Sequence, residues 1–275
     1  MGYRTIAAIL RGREDAARVL DCTIDLARAF GGHIVGFHAE PLPVTYATGI
    51  GYPGTAYITA GSEENDKRAA EILALFRTRV DAAGIPAEWH GSECFSGDSS
   101  IAALPTVRTA DLIVAQQADP DSGSDSTGEV ESLLFESGRP VLLVPYAGET
   151  HGAPLKRVLL AWNGSKEAAR AAFDALPLLE QAEATEILVV DGKENGNDGK
   201  GIAASLGRHG VKVTVTEQAS GGLGIGEIID NRVADTGAEL VVMGAYSESW
   251  LKEWLFGGTT RTVLKAMPAM TLMAR

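Results

Sequence analysis

Short apolar runs alternate with stretches of helical spacing along this chain, and the alternation runs through twice. Thr5 to Leu10 (TIAAIL) is uniformly apolar, Glu14 to Phe30 spaces its apolar residues three and four apart up to Gly31-Gly32, and His33 to His38 is a second run. Val158 to Trp162 (VLLAW), Ser165 to Leu179 and Glu186 to Val190 repeat that order in the second half. Short uniform runs predict strands buried on both faces, and the longer spaced stretches predict helices.

Later segments correspond by position. Asp111 to Ala115 (DLIVA) matches Glu239 to Met243 (ELVVM) at an offset of 128, and Pro140 to Val144 matches Pro268 to Leu272 at the same offset. The first strands, taken from Arg4 and Arg157, are offset by 153, so the halves differ in their middles by about 25 residues. The first half spends that length on a Gly/Pro/Tyr-rich loop, Pro41 to Gly61, and a long helix, Glu63 to Ala83. The second has a polar loop, Asp191 to Gly199, and a short helix, Lys200 to His209.

Five strands alternating with helices in each half predict right-handed crossovers and parallel sheets covered on both faces. The expected fold class is α/β: two tandem Rossmann-like domains, each a five-stranded parallel sheet flanked by helices. The first spans 1–148 with its long loop at 41–61, and the second spans 155–275. Such sheets bind ligands at the carboxyl ends of their strands where strand order reverses. The loops after the first and fourth strands therefore flank one crevice, which sets Asn163-Gly164-Ser165 beside Gly244 and Gly257 to Thr260. Pro140 to Val144 and Pro268 to Leu272 are expected at sheet edges, and apolar edges tend to pair.

Composition narrows the function classes. A length of 275 residues with 45% hydrophobic content is that of an ordinary globular protein. No apolar stretch approaches the roughly 20 residues of a membrane span, and the N-terminus lacks a signal-peptide layout, so a cytoplasmic protein with no membrane partner is expected. A net charge of −12 argues against nucleic-acid binding. Residues 1–150 carry 11 Lys+Arg against 21 Asp+Glu and residues 151–275 carry 13 against 15, so a polyphosphate meets less repulsion in the second half. Cys22 and Cys94 fit neither a metal spacing nor a disulfide framework and read as reduced thiols. His38 with Glu40, and His90 with Glu93, read either as metal ligands or as polar residues at strand ends, and no catalytic constellation is present.

The second-half segment Glu239 to Arg275 carries the most specific chemistry. An apolar run ends at Gly244; after a polar loop, Gly257-Gly258 is followed by Thr259 and Thr260 at the start of a helical pattern. Glycines and hydroxyls opening a helix leave backbone N–H groups free at its positive end, a cradle for phosphate. Glycine, two residues, a small residue (Ser247), nine residues, glycine, then small residues and a hydroxyl resembles the nucleotide-binding signature of the universal stress protein family. The resemblance extends over nearly the whole chain as a tandem arrangement. It departs at Ser247, where the family's ATP-binding members have glycine, and at Gly258, where they have Ser or Thr.

The resemblance implies an adenine nucleotide alpha hydrolase-like fold and a regulatory role in stress response. It also implies ATP, with Mg²⁺, in the second domain, held by Asn163, Gly164, Ser165, Val190, Gly244, Ser247, Gly257, Gly258, Thr259 and Thr260. Asn163 stands where the family places an acidic adenine contact, and the end of the second strand, Val189-Val190-Asp191, would wall the base. From the residues alone, Asn163-Gly164-Ser165 reads equally as a helix N-cap with its turn. The first half carries Arg11-Gly12-Arg13 after its first strand and five carboxylates between Asp119 and Glu131 after its fourth, so it is expected not to bind ATP. In the family, edge strands join two domains across a pseudo-twofold axis. The same is expected within this chain, with a homodimer as further self-association. The alternative is a tandem protein that binds no nucleotide and serves as an interaction module, or holds a small apolar ligand under Tyr46, Tyr52 and Tyr57 of the first-half loop. ATP hydrolysis, if any, would be weak.

Overall fold

The alternation of buried runs and amphipathic stretches closes into one sheet with helices on both faces. The computed structural model describes residues 2–42, 55–94, 97–117, 126–146, 152–192, 197–245 and 269–275. The first half runs β1 (Thr5–Ile9), α1 (Arg13–Phe30), β2 (His33–Pro41), α2 (Thr55–Ala83), β3 (Ala87–Cys94), α3 (Ser99–Val107), β4 (Leu112–Gln116), α4 (Ser126–Glu136) and β5 (Val141–Val144). The second runs β6 (Arg157–Ala161), α5 (Lys166–Asp174), α6 (Leu176–Gln181), β7 (Ala184–Val190), α7 (Lys200–Arg208), β8 (Val213–Gln218), α8 (Ile225–Thr236), β9 (Leu240–Gly244) and β10 (Met270–Ala274).

The strands form one ten-stranded sheet in the order β3-β2-β1-β4-β5-β10-β9-β6-β7-β8. Pairing is parallel within each half, and the halves meet where β5 and β10 pair antiparallel, Leu142 opposite Leu272. Each half thus has the same strand order, outward from its first strand and then back to the other side. Side chains alternating along each strand fill two cores. Ile6, Ile34, Leu142 and Leu272 face α1, α2, α5 and α7, whereas Ile9, Ile113, Leu143 and Met273 face α3, α4 and α8. Both cores cross the junction between halves.

Polar contacts cross it too. Tyr3 Oη donates to the Asp174 carbonyl at 2.7 Å, and Arg170 donates to the Gly138 carbonyl at 3.4 Å. Cys22, buried in α1, lies 3.6 Å from the Met270 sulfur. Burial first, then the nearby Asp25 and Asp21, pushes its thiol up to about 12. That is a packing sulfur held in its protonated form.

Four sequence expectations shift. Helix α2 begins at Thr55, so residues 55–61 belong to it and not to the loop; Gly61 sits inside the helix, at a cost of about 1 kcal/mol against alanine that a 29-residue helix absorbs. The single helix expected from Ser165 to Leu179 is two, because Pro177 has no N–H to donate and its ring crowds the carbonyl of residue 173. The last strand spans Met270–Ala274, two residues beyond the expected run, because β10 is set by its pairing with β9, Met270 opposite Leu240. Finally, β1–β4 pairing (Ile6 with Leu112) and β6–β9 pairing (Val158 with Leu240) fix the first-strand offset at 152.

Candidate functional site

From β6 the chain moves outward to β7 and β8, then returns to β9 on the opposite side of β6. The carboxyl ends of β6 and β9 therefore part at a crevice, with Ala161 opposite Met243 as the last pair. Past it, the Trp162 N–H still bonds to the Leu188 carbonyl at 2.9 Å, which ties the next loop to β7.

The loop after β6 is built from its own side chains. Asn163 Oδ1 accepts from the Ser165 N–H at 3.1 Å, and Ser165 Oγ accepts from the Ala168 N–H at 3.1 Å, capping α5. Gly164 sits at φ +76°, a conformation that favours glycine. The turn and cap are thus formed, and the Asn163 carbonyl oxygen that would have met adenine is already engaged.

Gly244 is brought directly onto the same turn. A Cβ there would lie 2.4 Å from the Ala168 nitrogen and 2.5 Å from the Glu167 carbonyl carbon. Its role visible in the fold is to let the first turn of α5 rest on the end of β9. Val190, half-buried at the end of β7, packs against the core on the opposite face of the sheet from Trp162. Ser247, Gly257, Gly258, Thr259 and Thr260, with Trp250, Lys252 and Trp254, lie outside the described residues.

One residue of the crevice went unread in the sequence. Asn197, in the loop between β7 and α7, accepts from the Trp162 indole N–H at 3.0 Å and from the Gly199 N–H at 3.3 Å. Its own N–H bonds to the Gly192 carbonyl at 2.8 Å, so the side chain is held from both ends. Its Nδ2 is buried with no partner among the described residues, 2.9 Å from where a Cβ of Gly164 would stand. A buried amide donor without an acceptor costs free energy, on the order of 1–3 kcal/mol, until something accepts from it. The clue in the sequence was only that Asn197-Asp198-Gly199 closes a loop facing Asn163 in the expected topology. Beside it, Asp191 adopts φ +51° and accepts from the Ser220 N–H at 2.8 Å, which holds its carboxyl below the usual range.

The first half offers a different crevice at the same place. The two registers set Arg11 opposite Asn163 and Gln116 opposite Gly244. Gln116 is 5% exposed, with Oε1 unpartnered among the described residues, and its carbonyl accepts from Arg11 at 3.2 Å. Where the second half has a glycine against the first turn of α5, the first half has a buried glutamine side chain. The loop 118–125 lies outside the described residues. Nearby, His38 Nδ1 faces the Leu10 carbonyl at 2.6 Å and Nε2 faces Glu40 at 2.9 Å, while Arg68 forks onto Glu40. Burial would raise the Glu40 carboxyl, but the Arg68 and His38 contacts more than reverse this and hold it low. His90 pairs with Glu88 at 3.5 Å and not with Glu93. No group of three or more His, Cys, Asp or Glu suited to a metal occurs among the described residues.

Residues 154–275 match the profile of the universal stress protein family. Those residues therefore form a universal stress protein domain. Its fold is shared along the full length by a universal stress protein from Archaeoglobus fulgidus DSM 4304, 19% identical, with 98% of this chain and 96% of that one covered at a TM-score of 0.70. A protein of Pseudomonas aeruginosa UCBPP-PA14 ascribed to the same family, 14% identical, covers 99% and 93% at 0.59. A functionally unknown protein, PA1789, from Pseudomonas aeruginosa PAO1 is similar over 99% and 92% at 14% identity and 0.55. No curated protein matches the sequence. No helix among the described residues of the chain is long and apolar enough to cross a membrane.

Proposed function

We propose that this universal stress protein binds ATP with Mg²⁺ in its second half, and that occupancy regulates the surface it shows to other proteins in the stress response. The observation that supports this most is the buried, unpartnered Nδ2 of Asn197 at the β6–β9 switch point. An adenine ring nitrogen is an acceptor that would satisfy it. Asn197 thus takes over the base-reading role first given to Asn163, whose carbonyl oxygen already holds the turn.

The phosphates would lie toward Gly244 and the glycine-hydroxyl run Gly257-Gly258-Thr259-Thr260, with Ser247 supplying a hydroxyl. Backbone N–H groups opening a helix suit an anion without any lysine. Mg²⁺ would supply charge neutralisation that a chain of net charge −12 does not. In this reading residues 155–275 form the nucleotide domain and 1–148 its partner. The antiparallel β5–β10 seam supports reading the pair as a dimer within one chain.

Calorimetric titration of ATP and Mg²⁺ into the purified chain tests the reading. One site per chain in the micromolar range is expected. Asn197→Ala should weaken it about tenfold, as for a lost hydrogen bond to a buried donor. The double change Gly257→Val with Gly258→Val should abolish it. Absence of heat at millimolar ATP would remove the nucleotide role.

A further inference from the structure

A second cavity lies in the first half, away from the switch point, between the early turns of α2 and the carboxyl ends of β2 and β3. It encloses about 300 Å³. It exists because small residues face each other across it: Ala69 on α2 and Gly91 on β3 leave a gap that larger side chains would fill. Leu73 and Trp89 close its inner end, where Trp89 packs on Phe76 at 5.1 Å between ring centroids. Its floor is Glu40, whose carboxylate is already neutralised by Arg68 and His38.

The outer walls are not neutralised. Asp66 on α2 and Glu93 on β3 line the cavity from opposite sides, and neither has a cationic partner within salt-bridge distance among the described residues. A slot with Ala69, Leu73 and Trp89 along it and two uncompensated carboxylates beside them complements an aliphatic chain that carries positive charge. The first half, with 11 Lys+Arg against 21 Asp+Glu over residues 1–150, draws such a cation toward it.

We infer that this cavity is a binding site for small aliphatic di- or polyamines: the methylene chain lies along Ala69, Leu73 and Trp89, and ammonium groups meet Asp66 and Glu93. Methylenes gain from leaving water, and half-desolvated ion pairs orient the ligand. The site shares no residue with the nucleotide crevice, so it stands whether or not ATP binds.

The probe is 1,5-diaminopentane, titrated into the full chain at fixed ionic strength and followed by calorimetry, with pentan-1-ol and sodium chloride as controls. Saturable binding at one equivalent per chain is expected, with no heat from pentan-1-ol. Asp66→Asn and Glu93→Gln should each weaken it about fivefold, the upper range for such pairs. Both residues are surface-accessible, so circular dichroism should show both variants folded. Ala69→Leu, which fills the slot and keeps every charge, should abolish binding, a result that diffuse charge attraction would not give. The chain carrying Gly257→Val and Gly258→Val should retain it. No binding at ten millimolar diamine, or binding indifferent to all three substitutions, overturns the inference.

Discussion

At the scale of single residues, glycine, asparagine and two carboxylates carry distinct and separable roles. Gly244→Ala forces backbone against backbone at the first turn of α5, where no side chain can swing away. It should lower unfolding free energy by about 2 kcal/mol, read from the urea midpoint, as overpacking does. Asp230 is pushed up to about 6 by desolvation. Its folded value exceeds the unfolded one, so its ionisation opposes folding, and the penalty appears as pH rises from about 4 through 6. Asp230→Asn should therefore raise the melting temperature more at pH 8 than at pH 5; an equal gain at both would contradict the assignment. Glu40 has the opposite sign. Its carboxyl is held low, so its contribution is present above the ordinary glutamate range and lost as pH falls through the folded value. Glu40→Gln should cost about 2 kcal/mol at pH 7, below a fully buried pair because the Arg68 side chain is 43% exposed, and the difference should shrink below about pH 4.

At the scale of elements, most of the architecture was legible because the inner strands are buried on both faces, unlike the outermost β3 and β8. A run such as Val158 to Trp162 needs no partner to be recognised. Misplaced boundaries have local causes. Gly61 read as a breaker although α2 passes through it, and Pro177 interrupts a helix whose apolar spacing continues unchanged. The end of β10 was read short because its limits come from pairing with β9 and not from its own pattern. The candidate site was legible only where glycine and hydroxyl positions announce turns, as at Gly164 and Ser165. Asn197 escaped because its role depends on two residues, Trp162 and Gly164, that are distant in sequence and meet it only once β6 and β7 are side by side. Ser165→Ala should cost about 1 kcal/mol through loss of the α5 cap, with ATP affinity changing less than for Asn197→Ala.

At the scale of the whole molecule, the two halves share one sheet and two cores that both cross the β5–β10 seam. Thermal unfolding should accordingly be one transition, with calorimetric and van't Hoff enthalpies agreeing; two separated transitions would mean the seam is weaker than its buried Leu142, Leu143, Leu272 and Met273 imply. Under the proposed function such coupling would give ATP in the second half a route to the first, since a ligand that binds only the folded chain stabilises both together. The asymmetry between halves, Gly244 against Gln116 and Asn163 against Arg11, is what the proposed nucleotide role rests on: the second half has a glycine where the first has a buried glutamine side chain. Photolabelling with 8-azido-ATP in the presence of Mg²⁺, followed by peptide mapping, tests that directly. The account predicts label on peptides containing Trp162 to Ser165 or Val190 to Gly199, competed away by ATP. Competable label on peptides around Arg11, His38 or Gln116, or none in either half, would contradict it.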